Sequence, residues 1–172
     1  MAQIREAVTE LSGPEEDERR PLGAYAGLVG IFNAGFGGAL LYAARHGKLP
    51  ERLPLLDVAL IGTATFKLSR LIAKDAVTGV VRAPFVRFEG MSGITDPEEK
   101  PTGRGFRMAL GQLLLCPQCI GLWVAAGLTS SMLAAPRPTR AAASALTALA
   151  ISDFLNVAYS AASAATDQPS SS

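Results

Sequence analysis

The sequence predicts an all-α fold: a polytopic integral membrane helical bundle of about four transmembrane helices. Three observations carry that reading. Of 172 residues, 49% are hydrophobic and only 18% charged, against about a quarter charged in an ordinary soluble domain. The apolar residues are clumped into four stretches of helix length. The first of these, GAYAGLVGIFNAGFGGALLYAA over 23–44, carries no charge, and a helix needs about 20 apolar residues to cross the hydrocarbon core.

The elements follow in order. Residues 1–22 form a polar tail ending in GPEEDERRP. A secretory signal has a basic leader and an apolar run of only about 7–15 residues, so 23–44 reads as an uncleaved span. Its Gly23/Gly27, Ala26/Gly30 and Ala34/Gly38 pairs are each four apart, a spacing that lets helices approach closely in lipid. Pro50 and Pro54 bracket a short turn before the second span, 53–73. Residues 74–112 make the longest connection, a cytoplasmic or interfacial segment. In it VVRAPFVRFEG could lie at the interface, Phe85 and Phe88 dipping in and Arg82 and Arg87 at the headgroups, or serve as an ordinary connector. MSGITDPEEKPTGRG reads as a flexible loop and FRMALGQLLL as a helix. The third span is 113–135 and the fourth 141–162, with Pro136 and Pro138 marking a tight turn between them. Residues 163–172, ending in TDQPSSS, form a disordered polar tail.

Lys and Arg near span ends favour the cytoplasm. With four spans, the tail and the 74–112 segment share one side and hold nine: Arg5, Arg19, Arg20, Lys74, Arg82, Arg87, Lys100, Arg104 and Arg107. The other side holds five. Both termini are therefore predicted in the cytoplasm, with the bilayer as the first partner. A formal net charge of +1 and one histidine give no field or platform for nucleic acid.

Charges occur inside the second and fourth spans. Lys67, Arg70 and Lys74 share a helix face, as do Asp153 and Asn156. Lys67 lies 13 residues beyond Pro54 and Asp153 lies 13 beyond Arg140, which puts both about 20 Å from the outer end. An unpaired charge at that depth is costly. The expected solution is a Lys67–Asp153 or Arg70–Asp153 ion pair, with Arg70 and Lys74 reaching toward the inner surface. A proton or ion relay is the competing reading; one acid and no membrane histidine make a poor one.

LLLCPQCIGLWVA, 113–125, holds both cysteines. Pro117 lacks an amide hydrogen and keeps Cys116 out of helical angles. The helix should break there and restart with Cys116 as its cap, Pro117 at its first position and Cys119 in its first turn. On the cytoplasmic, reducing side a permanent disulfide is not expected. Three readings remain open: packed thiols, a redox pair, or a metal site built on Cys116 and Cys119. Tetrahedral zinc needs about four ligands; the chain adds only a distant His46, so zinc implies two copies of the chain.

TFKLSRLIAKDAVT, RAPFVRFEG, LLLCPQCIGLWVA and ALAISDFLNVAY together resemble the successive blocks of one bacterial family, catalogued as domain of unknown function 1360. Its most specific part is Cys-Pro-x-Cys-x-Gly-x-Trp, matched by Cys116, Pro117, Cys119, Gly121 and Trp123. The resemblance implies a bacterial cytoplasmic-membrane location and carries over no catalytic residue. No acid pair, nucleophile–base set or phosphate-cradling loop suggests an enzyme. The expected role is a structural or interaction component of a membrane complex, as a homo-oligomer or with other membrane proteins. A thiol or zinc site at Cys116/Cys119 is the first alternative, and a small transporter lined by Lys67, Arg70 and Asp153 the second.

Overall fold

A computed structural model describes residues 22–91 and 97–166. Most of both predicted tails lies outside these residues, but 163–166 are helical, continuing the last helix beyond the predicted span. The chain is mostly helical: α1 (Leu22–Arg45), α2 (Leu55–Lys74), α3 (Gly79–Arg82), β1 (Val86–Met91), β2 (Pro97–Pro101), α4 (Phe106–Leu115), α5 (Pro117–Ala134) and α6 (Pro136–Thr166). Among the described residues, α1 and α6 are each long and apolar enough to cross a membrane, and α4 with α5 passes as a third span bent by 89°. The second predicted span, α2, is helical as expected. Asp57, Lys67, Arg70 and Lys74 make it too charged to qualify by composition alone.

Helix α2 is the centre of the bundle, packing on both α5 and α6. Its first turn places Asp57 near the positive end of the helix dipole and its last turn places Lys74 near the negative end. Helices α2 and α6 run parallel. The contacts advance together along both: Asp57 with Arg140, the Leu60 carbonyl with the Thr147 hydroxyl, then Phe66 with Phe154 and Lys67 with Asp153. Ala64, Ala143 and Ala150 are fully enclosed, small side chains that allow the close approach.

The all-α expectation needs one correction. Residues 86–101 form an antiparallel hairpin, Val86 opposite Pro101 and Met91 opposite Pro97, with an irregularity at Glu89. Prolines at both ends of β2 cost no central ladder bond. Glu89 and Lys100 pair at 2.7 Å on the hairpin, and the Glu89 carboxylate raises the Lys100 pKa above its ordinary value. Arg82 is also corrected: it is fully buried, not at the headgroups. Its side chain joins the end of α2 to the hairpin, as set out below.

The turn between α5 and α6 is shorter than predicted. Only Ala135 separates them, and Pro136 already opens α6, where a missing amide hydrogen costs nothing. The small-residue pairs of α1 are not used inside the described chain. A Cβ built at Gly23, Gly27, Gly30 or Gly38 would meet nothing within 4 Å, so among the described residues these glycines pack against no other helix. The glycine that packing does require is Gly111 of α4. A Cβ there would lie 2.7 Å from the Phe85 carbonyl oxygen and 3.0 Å from Pro101 Cβ. Phe85 O also accepts from Thr102 N at 2.9 Å, so it is held in place. Gly111→Ala is expected to cost about 1–3 kcal/mol by overpacking, whereas Gly27→Ala costs nothing. Thermal unfolding of the two variants in detergent checks this; equal midpoints would refute the close contact.

Candidate functional site

Two places gather the chemistry the sequence singles out. The first is an open groove of about 460 Å³ between the C-terminal half of α2 and α6, lined by Lys67, Arg70, Lys74, Asp75 and Asp153 beside Phe66, Phe154 and Val157. Lys67 Nζ donates to Asp153 Oδ2 at 2.5 Å. Of the two predicted partners for Asp153, the structure brings Lys67 to it and leaves Arg70 lining the groove. Asp75 accepts from the Val77 backbone N–H at 3.0 Å, which closes the turn after α2.

The second is the cysteine corner. Cys116 is extended at φ −102°, ψ 106°, and caps α5, whose first residue is Pro117. Cys119 N donates to Cys116 Sγ at 3.2 Å. The local geometry is the one predicted, and it brings the two sulfur atoms together. One turn of helix start brings the two Cα atoms to 5.2 Å, and the cysteines are joined as a disulfide, within the usual Cα range for such a bond. The pairing goes against the expectation of no permanent disulfide and is the arrangement that the redox reading requires. A disulfide offers no thiolate to a metal, and among the described residues no group of three His, Cys, Asp or Glu side chains comes together. His46 packs on the Tyr42 ring, centroids 4.3 Å apart.

Beside the corner lies a nearly apolar groove of about 500 Å³ between α1 and the α4–α5 bend, lined by Tyr25, Phe32, Gln112, Cys119 and Trp123 among others. Trp123 packs edge-on against Phe32 at 5.3 Å. Tyr25 donates its hydroxyl proton to Gln112 Oε1. These contacts, with buried Leu28 and Ala43, hold α1 to the bundle.

Two further charged contacts escaped the sequence reading. Arg140 donates in a fork to Asp57, Nε to Oδ1 at 2.9 Å and Nη2 to Oδ2 at 2.6 Å. A signal for it was present: α2 runs acid then base, Asp57 then Lys67, while α6 runs base then acid, Arg140 then Asp153. Two parallel helices with opposite charge order pair at both positions. Arg82 donates from Nε to Glu99 Oε2 at 2.7 Å, and from Nη1 to Ile72 O at 2.6 Å and Thr78 Oγ1 at 2.8 Å. Its partner Glu99 lies in a segment that reads as loop, so no spacing rule connects the two.

Fold and charged groove together define a class: a helical protein with helices of membrane-crossing length and composition, carrying an ion pair between two of its long helices. The chain belongs to the family described as protein of unknown function (DUF1360), which matches residues 60–159. The match takes in the Lys67–Asp153 pair, the Arg82–Glu99 pair and the cysteine corner, and leaves out α1 and Asp57. No curated protein and no solved structure matches the chain.

Proposed function

We propose that the chain is a bacterial inner-membrane protein with four membrane-crossing segments and both termini in the cytoplasm, acting as a structural or interaction component of a membrane complex. The charges that disqualify α2 as a lone span support its inclusion. Asp57 and Lys67 are both matched by α6, so the helix presents fewer bare charges to lipid. One observation carries the interaction role. Residues 151–160 of α6 are each exposed, Ile151, Phe154, Leu155, Val157 and Tyr159 among them, and α2 meets only the face that carries Asp153 and Phe154. Lipid and a partner helix can both cover these apolar residues; the interaction role assigns them to a partner helix, and the test reads which of the two lies there.

The test is a photo-crosslinking residue at Leu155, exposed on α6 outside the α2–α6 groove, in native membranes. Adducts of one fixed protein mass, from a second copy or another membrane protein, support the interaction role; adducts to lipid alone overturn it. Release of the chain by alkaline carbonate would overturn the membrane assignment itself.

A second reading has its own observation. The Cys116–Cys119 disulfide sits at an exposed helix start, with Cys119 lining an apolar groove. A helix N-terminus favours thiolate after reduction, so the pair could exchange with a partner dithiol.

A further inference from the structure

We propose that the groove between the C-terminal half of α2 and α6 binds the phosphate of an anionic phospholipid, an inference that rests on the membrane assignment above. Three cations line this groove, and they are not equivalent. Lys67 is engaged by Asp153 at 2.5 Å. Arg70 and Lys74 have no ion-pair partner among the described residues. They stand four residues apart on one face of α2, so their side chains are neighbours across one helical turn. Two cations so placed can hold one phosphate between them, Arg70 as a planar fork and Lys74 as a mobile point charge. Asp75, the other acid of the groove, is already bonded to the Val77 backbone N–H.

The order of residues along α2 selects the amphiphile. Phe66 stacks on Phe154 with centroids 6.0 Å apart, one turn deeper than Arg70. The unpaired cations then follow in the last two turns, ending at Lys74, the final residue of the helix. A floor made of the phenylalanine pair and the mutually neutralised Lys67–Asp153 pair gives way to unpaired positive charge at the helix end, the polarity order of a phospholipid, acyl chains first and phosphate last. A soluble phosphate would leave the phenylalanine pair uncovered. A zwitterionic lipid brings its own cation against Arg70 and Lys74. Basic pockets between helices at the cytoplasmic end are where anionic headgroups are held.

The experiment is native mass spectrometry of the full chain in a mild detergent, titrated with phosphatidylglycerol or with phosphatidylcholine of the same acyl chains. Phosphatidylglycerol is expected to remain bound and phosphatidylcholine to dissociate. At about fivefold per basic residue, Arg70→Gln/Lys74→Gln should weaken phosphatidylglycerol about thirtyfold. Arg70→Lys/Lys74→Arg should keep it, which separates lost charge from lost fold. Inorganic phosphate is expected to leave the lipid in place. Equal retention of both lipids would overturn the proposal, as would an undiminished affinity in the glutamine variant. Displacement by inorganic phosphate would reassign the groove to a soluble anion. A carbonate wash of the source membranes keeps the two readings apart. A chain that stays in the membrane but retains no phosphatidylglycerol sinks only the lipid site; a chain released by carbonate sinks the membrane assignment and the lipid site with it.

Discussion

Arg82→Leu is expected to destabilise the protein by about 3–5 kcal/mol, the usual consequence of removing one partner from a buried ion pair. Arg82 is fully enclosed and Glu99 is only 8% exposed, so the carboxylate left behind has no water to turn to. The loss goes beyond the pair. Arg82 Nη1 also donates to the Ile72 carbonyl, near the C-terminus of α2, and to Thr78 Oγ1. Thr78 in turn donates to the Leu71 and Asp75 carbonyls, at 2.5 and 2.9 Å. One side chain thus satisfies the end of the central helix and anchors the hairpin to it. A double variant, Arg82→Leu/Glu99→Leu, removes the stranded carboxylate and should recover part of the loss. It cannot recover all of it. The Ile72 carbonyl and the Thr78 hydroxyl each lose a donor, at about 1–3 kcal/mol for a buried group left unmade. Unfolding midpoints in detergent give the ordering: wild type, then the double variant, then Arg82→Leu. A single variant as stable as wild type would show that the hairpin docks without this pair.

That network also shows where the sequence stops being legible. Long apolar runs announced α1, α5 and α6, because lipid imposes a length and an absence of charge that can be read residue by residue. Pro117 announced the break before α5, because its missing N–H and its effect on Cys116 are local. The Lys67–Asp153 contact could be reached from depth alone, since two parallel helices count residues from the same surface. The hairpin could not. Its strands are VRFEGM and PEEKP; the first alternates apolar and charged residues over Val86–Glu89, but the second is more charged than apolar and bounded by prolines, so nothing marked it as a partner strand. What makes it fold back is Arg82, seventeen residues from Glu99 in sequence, together with the Gly111 surface of α4 against Phe85 and Pro101. The disulfide was only partly legible. The spacing that makes Cys116 a helix cap also puts its sulfur beside Cys119, but C-x-x-C serves packed thiols, a redox pair or a metal equally well.

Charge reversal at the Lys67–Asp153 pair gives the second large effect, and it bears on the membrane itself. Asp153 is 56% exposed in the isolated chain and Lys67 14%. Were α6 surrounded by water at this point, the pair would be a surface salt bridge worth about 0–1 kcal/mol. Losing it would then pass almost unnoticed. In a bilayer the same carboxylate faces hydrocarbon, and a bare charge near the centre of a span costs about 2.5–3.5 kcal/mol. Lys67→Asp sets two carboxylates against each other and Asp153→Lys two ammonium groups, so each single variant should accumulate poorly in membranes. The Lys67→Asp/Asp153→Lys double variant keeps one charge of each sign in the same two positions and should restore accumulation, read as protein per membrane mass by quantitative immunoblot. A double variant as depleted as the singles would mean that the contact does not govern insertion. Singles that accumulate normally would carry a larger consequence, because they would place this stretch of α6 in water. Phe66 and Phe154 would then stack in an aqueous cleft, and the interaction surface of α6 would belong to a soluble partner rather than to another membrane helix.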